Sequence, residues 1–171
     1  MGDEVYGLTV WPPGELKDFI ARLQAEHGVS AYGAPHFNLR YPFRWRGPLE
    51  SLLDRVAAEA RAAQPFRAYV EGWHEFPNAV VISIRDTPEV RAAHEAMLAV
   101  GGEPLQRGRD RDDYFPHVTV ALTEDADRKS SVARAGQSLE LPRQWWVVGH
   151  VVATRDDAGH LTELGSFRLG S

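Results

Sequence analysis

Apolar and polar residues recur along this chain at two periods, and the period switches in a fixed order. Val5-Tyr6-Gly7-Leu8-Thr9-Val10 reads as a strand, closed by Pro12-Pro13-Gly14. Leu16, Phe19, Ile20 and Leu23 then fall at the three-and-four spacing of a helix that runs to Gly28. A strand through His36 comes next. After Pro48, the residues Leu49, Leu52, Leu53, Val56, Ala57 and Ala60 mark an amphipathic helix. Two strands, Phe66–Glu75 and Val80–Ile84, are expected to meet at the turn residues Pro77-Asn78. The order then repeats. Thr87-Pro88 opens a helix with Val90, Ala93, Met97 and Leu98 on one side and Gly101-Gly102 at its end. A strand through His117, a weaker helix from Thr123 to about Ser138, and a long strand Trp145–Thr154 follow. The turn Asp156-Asp157-Ala158-Gly159 leads into a last strand through Phe167 and Leu169. Antiparallel hairpins mixed with helices predict an α+β protein, with helices on the outer sheet faces and inner faces meeting around a cleft.

The two strands carrying His36 and His117 hold the chemistry. His36-Phe37-Asn38-Leu39 and His117-Val118-Thr119-Val120 each pair an imidazole with a polar side chain two residues on, and each follows a proline, Pro35 or Pro116. Residues i and i+2 of a strand share a face. His36 is therefore expected beside Asn38, and His117 beside Thr119, with Phe37, Leu39, Val118 and Val120 turned to a core. Each motif offers one proton carrier and one hydrogen-bond donor. The histidines stand 81 residues apart in a chain of 171, and the matching strand starts at 66 and 145, and at 80 and 161, are 79 and 81 apart. The agreement between element order and motif offset points to an internal duplication.

These residues resemble the signature of the two-histidine phosphoesterase superfamily, His-apolar-Thr/Ser-apolar occurring twice, and within it the LigT-like branch of 2′-5′ RNA ligases and cyclic nucleotide phosphodiesterases. His36-Phe-Asn-Leu-Arg-Tyr-Pro-Phe43 looks like the first motif with its aromatic-proline tail, and His117-Val-Thr-Val-Ala-Leu122 like the second. The first departs from the pattern at Asn38. The resemblance covers most of the chain and implies two pseudo-symmetric lobes with antiparallel sheets around a central cleft, one histidine from each lobe. That makes residues 1–171 a single bilobal domain, with an approximate lobe repeat of 1–85 and 86–171. It also implies a metal-independent phosphoesterase that opens 2′,3′-cyclic phosphates of RNA ends or small nucleotides, with reversible 2′-5′ RNA ligation by the same site and no cofactor.

Chemically, ring opening needs a base for water and an acid for the departing ribose oxygen. Two imidazoles suffice, since their ordinary pKa of ~6.5 lets one be neutral and the other protonated near neutral pH. Thr119 and the Asn38 amide, which carries two donors, would serve the non-bridging phosphate oxygens. Asn38 is also a residue type that ends strands or bonds local backbone. Arg40, Arg44 and Arg46 follow the first histidine and Arg107, Arg109 and Arg111 precede the second. Arg40, Arg109 and Arg111 are candidates for phosphate contact, although Asp110, Asp112 and Asp113 would partly neutralise the second group.

Composition limits the partners. A net charge of −5 argues against coating of nucleic acid through bulk electrostatics and leaves room for a local basic cleft. The absence of cysteine excludes disulfides and thiolate chemistry, and fits a cytoplasmic protein. Met1-Gly-Asp-Glu-Val-Tyr6 is acidic where a signal peptide is basic, and no run is long enough to span a bilayer. RNA ends or small cyclic nucleotides are the expected partners, with no membrane and no protein partner inferred. His160-Leu161-Thr162 has the right letters but continues into Glu163 and follows a hairpin turn. His27 suits a helix C-terminus and His94 lies on a helix. His74-Glu75 and His94-Glu95 lack the second histidine of a zinc helix, and His150 falls in an expected core strand. Trp45, Trp73, Trp145 and Trp146 could stack nucleobases or wall a core, and a regular strand lets only one of Trp145 and Trp146 face a cleft. Two other readings stay open. One is a non-catalytic RNA-end or nucleotide-binding module of the same fold, for which Asn38 is the hint. The other is a phosphodiesterase for a different substrate, such as ADP-ribose cyclic phosphate or 2′-5′ oligoadenylate.

Overall fold

A computed structural model of the chain describes residues 4–106 and 113–170. Its elements are β1 (Val5–Val10), α1 (Gly14–His27), β2 (Phe37–Arg44), α2 (Leu49–Ala62), β3 (Phe66–Phe76), β4 (Ala79–Ile84), α3 (Pro88–Ala99), the two-residue β5 (Glu103–Pro104), β6 (His117–Leu122), α4 (Ala126–Gln137), β7 (Trp145–Val148), β8 (His150–Asp157) and β9 (His160–Arg168). The α+β alternation expected from the hydrophobic pattern is present.

Local chemistry sets the helix ends. Gly28 closes α1 in the left-handed conformation (φ 59°) and returns its N–H to the Gln24 carbonyl, while Leu16, Phe19, Ile20 and Leu23 form the buried stripe. Thr87 caps α3 by accepting the Val90 N–H, with Pro88 in the first turn. The fourth helix starts later than the Thr123 expected from the pattern. Thr123 Oγ1 instead takes the Asp125 N–H, and the Asp125 carboxylate accepts from the N–H groups of Asp127 and Arg128, which makes Asp125 the cap.

The strands form a sheet in the order β7-β3-β4-β6-β2-β1-β8-β9, with β5 attached to β2. Every strand pair is antiparallel. The central join is slight, for β2 meets β6 through the single Cα pair Phe37↔Val118. On one side stand β2, β1, β8 and β9, packed by α2 and α3; on the other stand β6, β4, β3 and β7, packed chiefly by α1 and α4. Each side thus takes two strands from each half of the sequence. The strands of the two halves of the sequence therefore interleave in space.

The expected strand Trp145–Thr154 is broken at Gly149. Residues before it pair with β3 and residues after it with β1 and β9, at opposite ends of the strand order. One residue cannot span a flat sheet of that width, so the sheet curls towards closure. One connected core, including Leu8, Leu16, Ile20, Phe37, Leu39, Leu52, Ile82, Met97, Val118 and Leu169, lies between sheet and helices.

Candidate active site

The paired strands β2 and β6 carry both motifs. Phe37 and Leu39 on one, and Val118 and Val120 on the other, are fully buried in the core. Strand alternation puts His36, Asn38, His117 and Thr119, all half-buried, on the opposite face. The Phe37↔Val118 register sets Asn38 across from His117 and Thr119 across from His36. Directly opposed Cβ atoms of an antiparallel pair lie ~4.5–5.5 Å apart. The two imidazoles and two donors singled out in the sequence are brought onto one patch.

The imidazoles are held alike. His36 Nδ1 lies 2.8 Å from the Ala34 carbonyl and His117 Nδ1 lies 2.7 Å from the Phe115 carbonyl, each two residues upstream. A carbonyl only accepts, so Nδ1 carries hydrogen in both rings and proton exchange falls to Nε2. In the neutral ring Nε2 is a base, and in the imidazolium it is an acid. Burial pushes the His36 pKa below its ordinary value, and the Ala34 carbonyl partly opposes the shift by favouring the cation. Neither the Asn38 amide nor the Thr119 hydroxyl hydrogen-bonds to a described residue. The Asn38 backbone is pinned instead, with its carbonyl accepting from Tyr114 Oη at 3.0 Å.

Aromatic rings flank the patch. Trp11 meets His36 edge-on with 6.4 Å between centroids, and its indole N–H donates to Glu163 at 3.0 Å. Tyr41, Phe76 and Phe115 lie 5.9–6.3 Å from the His117 ring, and His74 packs on Phe76 and Phe115. The Tyr41 hydroxyl donates to the Phe115 carbonyl that also holds His117. Motif reading did not find Trp11, Tyr41, His74, Phe76 or Phe115 as neighbours of the histidines. Tyr41 and Phe115 could have been flagged by their closeness in sequence to the motifs; Trp11 and Phe76 depend on strand pairing alone.

Arg40 does not join the patch. The register of β1 on β2 runs Thr9↔Asn38 and then Leu8↔Arg40, which leaves Leu39 as an extra residue, a β-bulge. The strand is re-aimed there, and His94 Nδ1, 2.5 Å from the Leu39 carbonyl, sits at the bulge. The Arg40 guanidinium is consequently buried (2% exposed), bonded to the carbonyls of Gly101 and Gly102 beyond α3 and 3.8 Å from the Phe43 ring centre. It ties β2 to the glycine turn that follows α3. Arg46 pairs with Glu103 at 3.1 Å on the surface. Arg107, Arg109 and Arg111 lie outside the described residues.

The remaining histidines and tryptophans divide clearly. His27 meets Ser131 across α1 and α4, His94 is buried in a stack on Tyr114 (centroids 3.7 Å apart), and His160 is exposed at the β8–β9 turn. His150, expected in the core, is exposed as the first residue of β8, because the break at Gly149 shifts it off the β7 alternation. Trp73 covers Gly136 of α4, Trp45 packs under Arg55, Trp146 is buried and Trp145 is 43% exposed. Among the described residues no three His, Asp or Glu side chains form a metal-sized cluster, and no helix is long and apolar enough to cross a membrane.

The 2′-5′ RNA ligase superfamily model matches residues 12–159. No curated protein matches in sequence. Among solved structures, TT0787 of Thermus thermophilus is 19% identical with a TM-score of 0.66, covering 98% of this chain and 99% of that one. E. coli LigT complexed with phosphate is 13% identical with a TM-score of 0.62, covering 98% of each chain. Kluyveromyces marxianus Usb1 with uridine monophosphate is 12% identical with a TM-score of 0.55, covering 98% and 97%. At these identities the structural likeness speaks to the fold. The family match takes in both histidine motifs and most of the chain, and with it the protein belongs to the 2′-5′ RNA ligase superfamily of two-histidine phosphoesterases.

Proposed function

We propose that the protein is a metal-independent phosphoesterase that opens 2′,3′-cyclic phosphates on RNA ends or small nucleotides, with His36 and His117 as its proton carriers. The observation that carries this reading is the duplicated arrangement about Phe37↔Val118: two imidazoles fixed through Nδ1, each facing an unengaged donor across the strand pair. His36, biased to the neutral form by burial, takes the proton of the attacking water at Nε2. As the new P–O bond forms, the bond from phosphorus to one ribose oxygen breaks, and His117 Nε2 delivers a proton to that oxygen. The water proton ends on His36, and a phosphomonoester is released. Asn38 and Thr119 donate to the non-bridging oxygens, where charge builds in the pentacovalent transition state. With the 5′-hydroxyl of a second strand in place of water, and the 3′ oxygen leaving, the same steps produce a 2′-5′ linkage. That LigT, of the same fold, has been solved complexed with phosphate, ATP and 3′-AMP is in keeping with a phosphate-bearing ligand for this chain.

The test is turnover of a 2′,3′-cyclic mononucleotide by the wild type and by His36→Ala and His117→Ala. Each variant is expected to lose ~10²–10⁴-fold in kcat with an unchanged melting curve. The exposed His160→Ala should keep the wild-type rate. No turnover by the wild type, with the nucleotide bound, would turn the site into a binding module.

A further inference from the structure

We propose that the face of β3 and β7 bearing Tyr69 and Trp145, with Arg67 and Arg85, is a stacking platform for the single-stranded RNA that leads into the site. It belongs to the same side of the sheet as His117. Ser83 is the Cα partner of His117, and Gly72 is the partner of Ser83. The β3 register shifts between Val70 and Gly72, leaving Glu71 unpaired, and Val70 opposes the buried Ile84. Phe66, Ala68 and Val70 thus point to the core, and Arg67 and Tyr69 to the side of the patch. On β7 the alternation is equally plain. Trp146 (7% exposed) and Val148 are buried, whereas Trp145 (43%) and Val147 (61%) stand in the open.

The open side chains are matched across the strands. Tyr69 is the Cα partner of Trp145, and Arg67 of Val147. The Arg67 guanidinium lies 4.9 Å from the Trp145 ring centre and that of Arg85 lies 5.5 Å from the Tyr69 ring centre. Neither arginine is in an ion pair with a described residue. Two adjacent aromatic rings, each carrying a guanidinium, offer what a single strand presents, a π-face and a phosphate per nucleotide. Aromatics on neighbouring strands of an open sheet face stack successive bases in other RNA-binding folds. A hollow of about 370 Å³ lined by Pro65, Phe66, Arg67, Tyr69, Glu89 and Val147 lies beside the rings. Glu71 and Glu89 are exposed at this face too, which keeps it from being a bulk-charge surface and puts the weight on stacking.

Measured along the curled sheet at the usual spacings, Tyr69 falls roughly 12 Å and Trp145 roughly 16 Å from His117. Those positions are beyond the nucleotide at the reacting phosphate, so the platform selects oligonucleotides over mononucleotides. The inference takes its direction from the proposed phosphoesterase site, and its binding arm is independent of turnover.

The experiment compares wild type, Trp145→Ala, Arg67→Ala and His160→Ala in two measurements. The first is fluorescence anisotropy of a labelled single-stranded RNA hexamer ending in a 3′-phosphate, which needs no catalysis. The second is kcat/KM for a hexamer ending in 2′,3′-cyclic phosphate relative to that for the cyclic mononucleotide. Trp145→Ala is expected to weaken hexamer binding about 5–100-fold and to lower the kcat/KM ratio similarly. Arg67→Ala should weaken binding and flatten its salt dependence, while His160→Ala, at the exposed β8–β9 turn, should bind the hexamer as wild type does. Unchanged binding and an unchanged ratio in both platform variants would overturn the proposal, as would equal losses on hexamer and mononucleotide. A concentration-dependent dimer in sedimentation that Trp145→Ala abolishes would also overturn it, by giving this face to a second copy. If the hexamer binds as expected and no substrate turns over, the phosphoesterase reading fails and the platform stands.

Discussion

Replacing Asn38 tests the one position at which the chain leaves its family's motif. Because the Asn38 amide has no partner among the described residues, truncation to Ala orphans no protein group. The Tyr114 bond to the Asn38 carbonyl involves backbone and survives the change, so β2 keeps its place. Under the proposed mechanism what Asn38→Ala loses is therefore the interaction with the reacting phosphate, and removal of one such donor is expected to cost ~2.7–4 kcal/mol, or about 10²–10³ in kcat. Thr119→Ala, at the opposed position, should lose a similar amount. Asn38→Thr restores one donor and is expected within about tenfold of the wild type, whereas Asn38→Asp replaces the donor with a charge. At ~4 Å from a phosphate oxygen and an effective dielectric near 20, that repulsion is about 4 kcal/mol, so the aspartate should be slower than the alanine. The assay is single-turnover opening of a 2′,3′-cyclic nucleotide at saturating enzyme, with melting curves as a control. A rate for Asn38→Ala equal to that of the wild type, beside a crippled Thr119→Ala, would refute the account of two opposed donors.

Further outcomes follow from other features. The lowered His36 pKa means that, below an unfolded value near 6.5, the unfolded chain takes up a proton that the folded chain refuses. This part of the stability is present above that pH and is lost as pH falls towards the folded value, so His36→Gln should lose less in Tm than wild type between pH 7.5 and 5.5. Turnover should survive exhaustive EDTA treatment, since both proton transfers are assigned to imidazoles, and rescue of a chelated, inactive enzyme by a divalent ion would contradict that assignment. On the buried face of α4, a Cβ at Gly136 would run into the Trp73 ring, so Gly136→Ala should cost about 1–3 kcal/mol and lower Tm by several degrees in calorimetry.

The sequence made the site legible to the extent that it depends on alternation. Phe37, Leu39, Val118 and Val120 announce a buried face, and the opposite face then holds both histidines with Asn38 and Thr119. Pairing between distant strands was not legible. The bulge at Leu39 arises from how β1 lies on β2, and it directs Arg40 away from the patch to the glycine turn after α3. The break at Gly149 was hidden because Trp145–Thr154 is continuously strand-like, and only the competing partners β3 and β1 divide it. Trp11 was unread for a related reason. It follows a strand and precedes two prolines, and its closeness to His36 exists only once β1 and β2 pair.

The single contact at Phe37↔Val118 has a consequence for the symmetry of the proposed reaction. An antiparallel pair has a local dyad at such a point, and here the dyad exchanges His36 with His117 and Asn38 with Thr119. A phosphorus undergoing in-line displacement has nearly the same symmetry, one that swaps its entering oxygen with its leaving oxygen and its two non-bridging oxygens with each other. In the proposed reaction a site built on this dyad would serve the entering and the leaving oxygen alike, so cleavage of a 2′-5′ linkage and its joining would be one path travelled both ways. Net direction would then follow the free energies of the reactants. What breaks the symmetry, asparagine against threonine and Trp11 beside one ring against Tyr41, Phe76 and Phe115 beside the other, would decide which imidazole starts as the base.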